Sequence, residues 1–258
     1  INFTNYVNTF TISSSQTLTV SGSITFVVGM TIAGTGTLAV NATGTLTSAG
    51  KTLTGNLTFA GTSQTYTLAD SWTVSGNLTL SGATTLTING LFNINVGGNL
   101  TQTTTATTSG TTTIVLNGTG TWSNSSTGVL RNNLTIDTAG TITITDNVYY
   151  NTGTLTYTAG TVITTGSTIN VAAATTFVIT GNNLTLNNIT FTTAGTKTIT
   201  VNGTGFNING ILTMPLSQER DAWSPHAVKF RRYRQPARRS LRRGRCAAGA
   251  LAPGPGRP

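Results

Sequence analysis

The chain has 258 residues, and its composition changes sharply at about Thr213. Residues 1–213, which we call the body, hold 60 Thr, 26 Gly and 24 Asn, lack Pro, Cys, His and Glu, and balance three Lys or Arg against three Asp. This composition excludes His/Cys metal sites, a Ser-His-Asp triad and a Cys nucleophile in the body. No apolar run reaches the length, about 18 residues, that a membrane-spanning helix needs. We therefore expect a non-catalytic protein without a cofactor, metal site, small-molecule substrate or transmembrane segment.

The start of the chain shows no processing signal. It begins at Ile1 rather than Met, and no charged-then-apolar segment precedes the repeats, which are under way by about Thr9 with no visible cap. We expect the chain to be an internal fragment of a longer fibre, and removal of a leader is the alternative.

Apolar side chains recur at every second position of the body. Between Val74 and Leu100 nearly all of them, Phe92 included, occupy even positions, whereas the odd positions hold mainly Ser, Asn and Thr. This period of two predicts β-strands whose even-numbered side chains point inward in this segment. Glycine interrupts the pattern every six to eight residues there, which predicts strands of about four or five residues and few helices.

A longer repeat overlies this alternation. Asn-Leu-Thr begins at Asn56, Asn77 and Asn99, and returns at Asn133 and Asn183 after gaps of 34 and 50 that we attribute to longer turns. Asn-Gly-Thr-Gly begins at Asn117 and again at Asn202, a separation close to four such repeats. A unit of roughly 20–22 residues with about three short strands predicts one coil of a parallel β-helix, and a β-sandwich is the alternative.

Stacking explains why such coils would form a stable fold. One coil cannot bury its inward face alone, whereas stacked coils bury a continuous inner column. With a spacing of about 4.8 Å, about nine or ten coils make a rod of roughly 45 Å. We expect Asn56, Asn77 and Asn99 to stack as an amide ladder, and the body's lack of Pro fits strands whose N–H groups all pair.

The repeated strings resemble a known family. Gly-Asn-Leu-Thr-Phe at 55–59, Gly-Asn-Leu-Thr-Leu at 76–80 and Gly-Thr-Gly-Phe-Asn-Ile-Asn-Gly at 203–210 resemble the β-strand-repeat proteins of bacterial surfaces, which include autotransporter passenger domains and filamentous-haemagglutinin-like adhesins. The resemblance covers most of residues 15–213. It implies export to the extracellular space or cell surface, a β-solenoid stalk, and adhesion to surface glycans or to another fibre chain. Phage tail fibres use similar strings, so a phage tail-fibre segment is the alternative.

Two aspartates are candidates for catalysis. Asp137 and Asp146 would be the carboxylate pair of a polysaccharide-hydrolysing β-helix enzyme. Solvated positions in turns are the simpler interpretation, because no Glu or His stands in the body to assist them.

Five aromatic residues are candidates for sugar contacts. Trp72, Trp122, Tyr149, Tyr150 and Tyr157 would serve either as stacking platforms or as fillers of the inner column. Trp72 has even parity and is predicted to point inward. Tyr149 and Tyr150 are adjacent, so in a strand they point to opposite faces, and we expect one of them to be exposed. Both are weak binding candidates.

Four Thr-x-Thr pairs follow one another at a step of 20. Outward Thr two residues apart lie about 6.7 Å apart on a strand, and coils stack at about 4.8 Å, so the pairs predict a flat grid. Such a grid resembles the ice-binding face of β-solenoid antifreeze proteins, and Thr as an ordinary outward strand residue is the alternative. The Thr-x-Thr pairs and the ladder asparagines cannot both form straight rows along the stacked coils unless some turns differ in length. The pairs are Thr45/Thr47, Thr65/Thr67, Thr85/Thr87 and Thr105/Thr107, of which Thr65, Thr67, Thr85 and Thr87 are the weak binding candidates.

The tail, residues 214–258, carries the whole net charge of +9, all six Pro, His226 and Cys246. A solvated disordered tail is one interpretation, and a frameshift or sequence-end artefact is the second. The third is a basic arm that binds nucleic acid or an anionic membrane. Nucleic acid is therefore a partner only if the tail is genuine, and we assign no site role to His226 or Cys246.

Overall fold

The computed structural model describes residues 1–103, 107–124, 128–172, 175–193 and 196–215 of the chain. Within these ranges every regular element is a β-strand, and the strands pair in parallel. They stack as a β-solenoid of about nine turns, which confirms the predicted parallel β-helix. The described residues do not include residues 216–258, which contain His226 and Cys246. They also do not include Thr105.

The turns contribute strands to three stacks, which we call faces A, B and C; between β15 and β19 on face C, Val129 and Leu130 form isolated bridges instead of a strand. Face A contains β1 (Thr9–Thr11), β4 (Thr31–Ala33), β7 (Thr52–Leu53), β10 (Trp72–Val74), β13 (Asn93–Val96), β16 (Thr113–Leu116), the first halves of β18 (Asn133–Ile144) and β20 (Thr154–Ile163), β22 (Thr175–Ile179) and β25 (Lys197–Val201). Face B contains β2 (Thr17–Ser21), β5 (Thr37–Ala42), β8 (Asn56–Phe59), β11 (Leu78–Leu80), β14 (Leu100–Gln102), β17 (Gly120–Asn124), the second halves of β18 and β20, β23 (Leu184–Leu186) and β26 (Phe206–Ile208). Face C contains β3 (Ile24–Thr25), β6 (Gly44–Thr47), β9 (Gln64–Leu68), β12 (Thr85–Asn89), β15 (Thr107–Ser109), β19 (Asn147–Asn151), β21 (Thr168–Ala172), β24 (Asn188–Phe191) and β27 (Leu212–Thr213).

The length of a coil varies through its corners, the connections between faces. Leu38 pairs with Leu57 at a step of 19, whereas Ile189 pairs with Leu212 at a step of 23. Between these extremes, Leu57 pairs with Leu78 at a step of 21. Parallel pairing requires aligned strands but tolerates corners of different length, so insertions and deletions collect there.

The inward side chains form one continuous column. Leu and Ile from all three faces are buried together with aromatic rings, and the centroids of Phe26 and Trp72 lie 5.3 Å apart. Trp72 is fully buried, as its parity predicts. The inward prediction is wrong for Phe92, which is 39% exposed, because it stands at the C/A corner before β13 rather than inside a strand. Removal of this apolar surface from water is the main stabilising term of the fold.

Aromatic side chains also cover the first coil. The Phe3 ring packs against Tyr6, Phe10 and Phe26, with centroid distances of 5.6, 4.9 and 5.8 Å. Asn2 forms an isolated parallel bridge with Thr25 of β3 on face C. The rings of Phe3, Tyr6 and Phe10 are therefore partly buried against the core.

Most repeated sequence strings fall at the A/B corner. In three Gly-Asn pairs the Asn either begins a face B strand or stands directly before one. These residues are Asn56, Asn77 and Asn99. Asn183 leads into β23 at the same corner, whereas Asn133 begins β18 at the C/A corner. The gap of 34 before Asn133 therefore reflects a different corner rather than a longer turn.

Candidate functional site

The three ladder asparagines stack in consecutive coils at the A/B corner. Oδ1 of Asn56 accepts a hydrogen bond from the backbone N–H of Asn77 at 2.9 Å, and Oδ1 of Asn77 accepts one from the N–H of Asn99 at 2.8 Å. Oδ1 of Asn99 continues the series to the N–H of Thr121, also at 2.8 Å. The ladder thus runs from side chain to backbone rather than from amide to amide. It satisfies N–H groups at a corner where the strand pairing is interrupted.

Four of the five aromatic candidates are buried in the column. Trp72, Trp122, Tyr150 and Tyr157 are each at most 2% exposed, so they cannot stack on a sugar. Tyr149 and Tyr150 point to opposite sides of β19, and only Tyr149 is partly exposed. Tyr150 is therefore withdrawn as a binding candidate.

The hydroxyl of Tyr150 has a structural role inside the column. It donates a hydrogen bond to the carbonyl of Asn132 at 3.1 Å. Burial raises the pKa of Tyr150 above its ordinary value. Asn132 is itself fully buried, and its amide nitrogen donates to the carbonyls of Ile88 and Thr112 at 3.3 and 3.2 Å. These contacts tie successive coils together at the C/A corner.

The predicted rows of the Thr-x-Thr pairs are wrong in register. Thr65 and Thr67 lie on β9 of face C, but Thr65 pairs with Thr87 and not with Thr85. Thr67 pairs with Thr45 below and Asn89 above, and the coil step here is 22 instead of 20. The actual outward rows of this face therefore mix Thr with Ser and Asn.

Face A carries a more regular outward grid that the sequence reasoning missed. The grid has two columns of outward residues, and each column takes one residue from each coil. The strands that carry them pair without register shifts, from β16 to the first half of β18 and from the first half of β20 through β22 to β25. The signal in the sequence is the step of 22 from Thr154 to Thr176 to Thr198, which differs from the step of 20 between the Thr-x-Thr pairs. We call this surface the face A grid; its columns are Thr113, Asn133, Thr154, Thr176, Thr198 and Val115, Thr135, Thr156, Val178, Thr200.

The face A grid is uncharged and partly exposed. Its side chains lie about 6.7 Å apart along a strand and about 4.8 Å apart between coils. Each Thr presents one hydroxyl and one methyl group. The surface therefore offers repeated weak polar and apolar contacts at a fixed spacing.

The two candidate catalytic aspartates stand at different corners. Asp137 lies at the A/B corner within β18, and Asp146, with φ of 62°, precedes β19 at the B/C corner. The face B half of β18 lies between them in the chain, and both side chains are exposed. A glycosidase pair needs two carboxyl groups about 5–9.5 Å apart, and the position of these residues at different corners gives the catalytic interpretation no support.

The third aspartate of the body is structural. The two carboxylate oxygens of Asp70 accept the backbone N–H groups of Ser48 and Ala49, both at 2.7 Å. Ala49 has φ of 49° in the C/A corner of the coil below. Asp70 therefore holds a strained corner in place.

Among the described residues, no three His, Cys, Asp or Glu side chains are grouped to hold a metal ion. The same part of the chain contains no helix with the length and hydropathy needed to cross a membrane. No protein-family model, curated protein or solved structure matches this chain.

Proposed function

We propose that residues 1–213 are a segment of an exported surface fibre with a structural and adhesive role and no catalytic step. The observation that supports this proposal best is the face A grid. Uncharged Thr and Asn side chains repeat there in register over consecutive coils. Individually weak contacts at a fixed spacing gain affinity when several are made together.

The stacked architecture suits a mechanical element. Backbone hydrogen bonds between coils run along the rod, and each strand pairs with the strands of the neighbouring coils. Such a rod transmits tension along its axis while its faces remain available to partners. Surface glycans and a second fibre chain are the partners that we propose.

Binding to clustered glycans tests the adhesive proposal. The full chain is passed over surfaces that carry clustered neutral and charged glycans, and over the same glycans at low density. We expect retention on at least one clustered surface and much weaker retention at low density, because the contacts are multivalent. Retention on no clustered surface, or release of reducing sugar during the assay, would contradict the proposal.

The face A grid also favours a second candidate function, binding to an ice lattice. This candidate requires a flat, regular surface of hydroxyl and methyl groups, and the repetition of Thr in register on the grid supports it. Thermal hysteresis of the full chain is the test. Thr176→Tyr on the grid should abolish it, whereas Thr79→Tyr on face B should leave it intact. The absence of hysteresis in the unmodified chain would eliminate this candidate.

A further inference from the structure

A notch opens at the B/C corner towards the end of the described solenoid. Four residues, 165–168, separate the inward Thr164 from Ile169 in one coil. In the next coil only two residues, 187–188, separate Leu186 from Ile189, and in the third coil three residues, 209–211, separate Ile208 from Leu212. The tightest corner is thus flanked by a longer corner on each side, and this difference in length leaves a recess.

The sheet of face B is interrupted at the same level. The second half of β20 pairs with β18, and β23 pairs with β26, but in this described segment no strand pairing joins β20 to β23. The recess between them has a volume of about 270 Å³.

The lining of the notch combines aliphatic and uncharged polar groups. Val162, Ile163 and Leu186 supply apolar surface, and Ile163 remains 42% exposed. Asn187 and Asn209, with amide groups, and Thr165, with a hydroxyl group, also belong to the lining. None of the lining residues is charged.

The corners that frame the notch are held by hydrogen bonds. The backbone N–H and the hydroxyl of Ser167 both donate to the carbonyl of Thr164, at 3.1 and 2.9 Å. On the opposite side, the N–H of Gly210 donates to the carbonyl of Asn187 at 2.8 Å, and the N–H of Ile211 donates to Oδ1 of Asn188 at 2.8 Å. The recess is therefore formed before any ligand arrives, which lowers the cost of ordering it on binding.

We propose that this notch binds one ring of a neutral sugar. Amide and hydroxyl groups of the lining match sugar hydroxyls as donors and acceptors, and the aliphatic residues of the lining match the C–H face of a pyranose ring. The volume lies just below the range of about 300–1,000 Å³ that holds drug-sized ligands, so a single ring fits better than a longer chain. This inference rests on the proposed adhesive function and names its ligand class.

Ligand-observed NMR with the full chain tests the assignment. The probes are methyl glycosides of glucose, galactose and mannose, together with a methyl glycoside of a uronic acid. We expect saturable binding of at least one neutral glycoside with Kd on the order of 1 mM, because a small ligand with few contacts gains little free energy. No saturable binding of any neutral glycoside, or a preference for the uronic acid, would overturn the proposal.

Three variants locate the binding. Thr165→Tyr places an aromatic ring in the notch from an exposed position. Asn187→Ala removes one amide group from the lining. Each variant should bind the glycoside about tenfold or more weakly than the unmodified chain. Asn182→Ala is the matched control, since Asn182 is exposed in the same coil at the A/B corner, and it should leave binding unchanged. Equal affinity of Thr165→Tyr and the unmodified chain would overturn the notch as the site.

The two proposals fail in different ways. If clustered glycans retain the chain but methyl glycosides do not bind, the notch assignment is wrong and the adhesive function stands. If methyl glycosides bind in the notch but clustering brings no gain in retention, the notch is right and the multivalent mechanism is wrong.

Discussion

Oδ1 of Asn77 accepts the backbone N–H of Asn99 at 2.8 Å, one coil further along the rod. This contact joins two coils at a corner, where strand pairing no longer supplies a partner. In the same way, Oδ1 of Asn56 accepts the backbone N–H of Asn77. One side chain per coil therefore maintains the hydrogen bonding of the backbone around the bend.

Asn77→Ala should lower the free energy of unfolding by about 1–2 kcal/mol, because it leaves the N–H of Asn99 without its acceptor. Urea unfolding followed by circular dichroism measures the effect. Asn182→Ala is the control, an exposed Asn at the same corner, and should change stability by less than about 0.5 kcal/mol. Equal stability of the two variants would show that the ladder is not a stabilising element.

Gly76→Ala should be more damaging, with a loss of more than about 2 kcal/mol. A Cβ at this position would lie 2.6 Å from both the carbonyl oxygen of Gly55 and Oδ1 of Asn56, so the corner would have to open. The thermal unfolding midpoint is the measurement. Gly50→Asn is the control, because space is open around Gly50 and Asn tolerates its φ of 71°. A Gly76→Ala variant as stable as the unmodified chain would contradict the close packing of this corner.

Asp70→Ala should cost about 2–3 kcal/mol, since the N–H groups of Ser48 and Ala49 both lose a charged acceptor. Asp70→Asn should recover part of the loss, because its single amide oxygen still accepts one of the two bonds. Urea midpoints of the two variants test this order. A reversed order would contradict the role of Asp70 as a hydrogen-bond acceptor for these N–H groups.

Alkaline pH should destabilise the fold through Tyr66. Burial raises the pKa of Tyr66 from 10.0 to about 12, so the unfolded chain loses this proton before the folded chain does. The contribution of Tyr66 is fully present below about pH 10 and is lost as the pH rises from there towards about 12. Unfolding midpoints measured over this range should fall, and the fall should be shallower in Tyr66→Phe. An identical slope in the variant would contradict the raised pKa.

The sequence by itself determined the strands and the direction of their side chains. Alternation of apolar and polar residues is a local property, and it correctly places Trp72 and Leu78 in the column. The repeat of roughly 20–22 residues then predicts parallel stacking, because only stacked coils bury so many short inward faces.

Only the tertiary structure decided which outward residues share a row. Thr65 aligns with Thr87 and not with Thr85, and Asn133 belongs to a different corner from Asn99. Row alignment depends on the sum of all corner lengths in a coil, and a corner can gain or lose residues without any change in the strand pattern. The face A grid and the notch beside Asn187 arise from this sum, so they appear only when the coils are stacked.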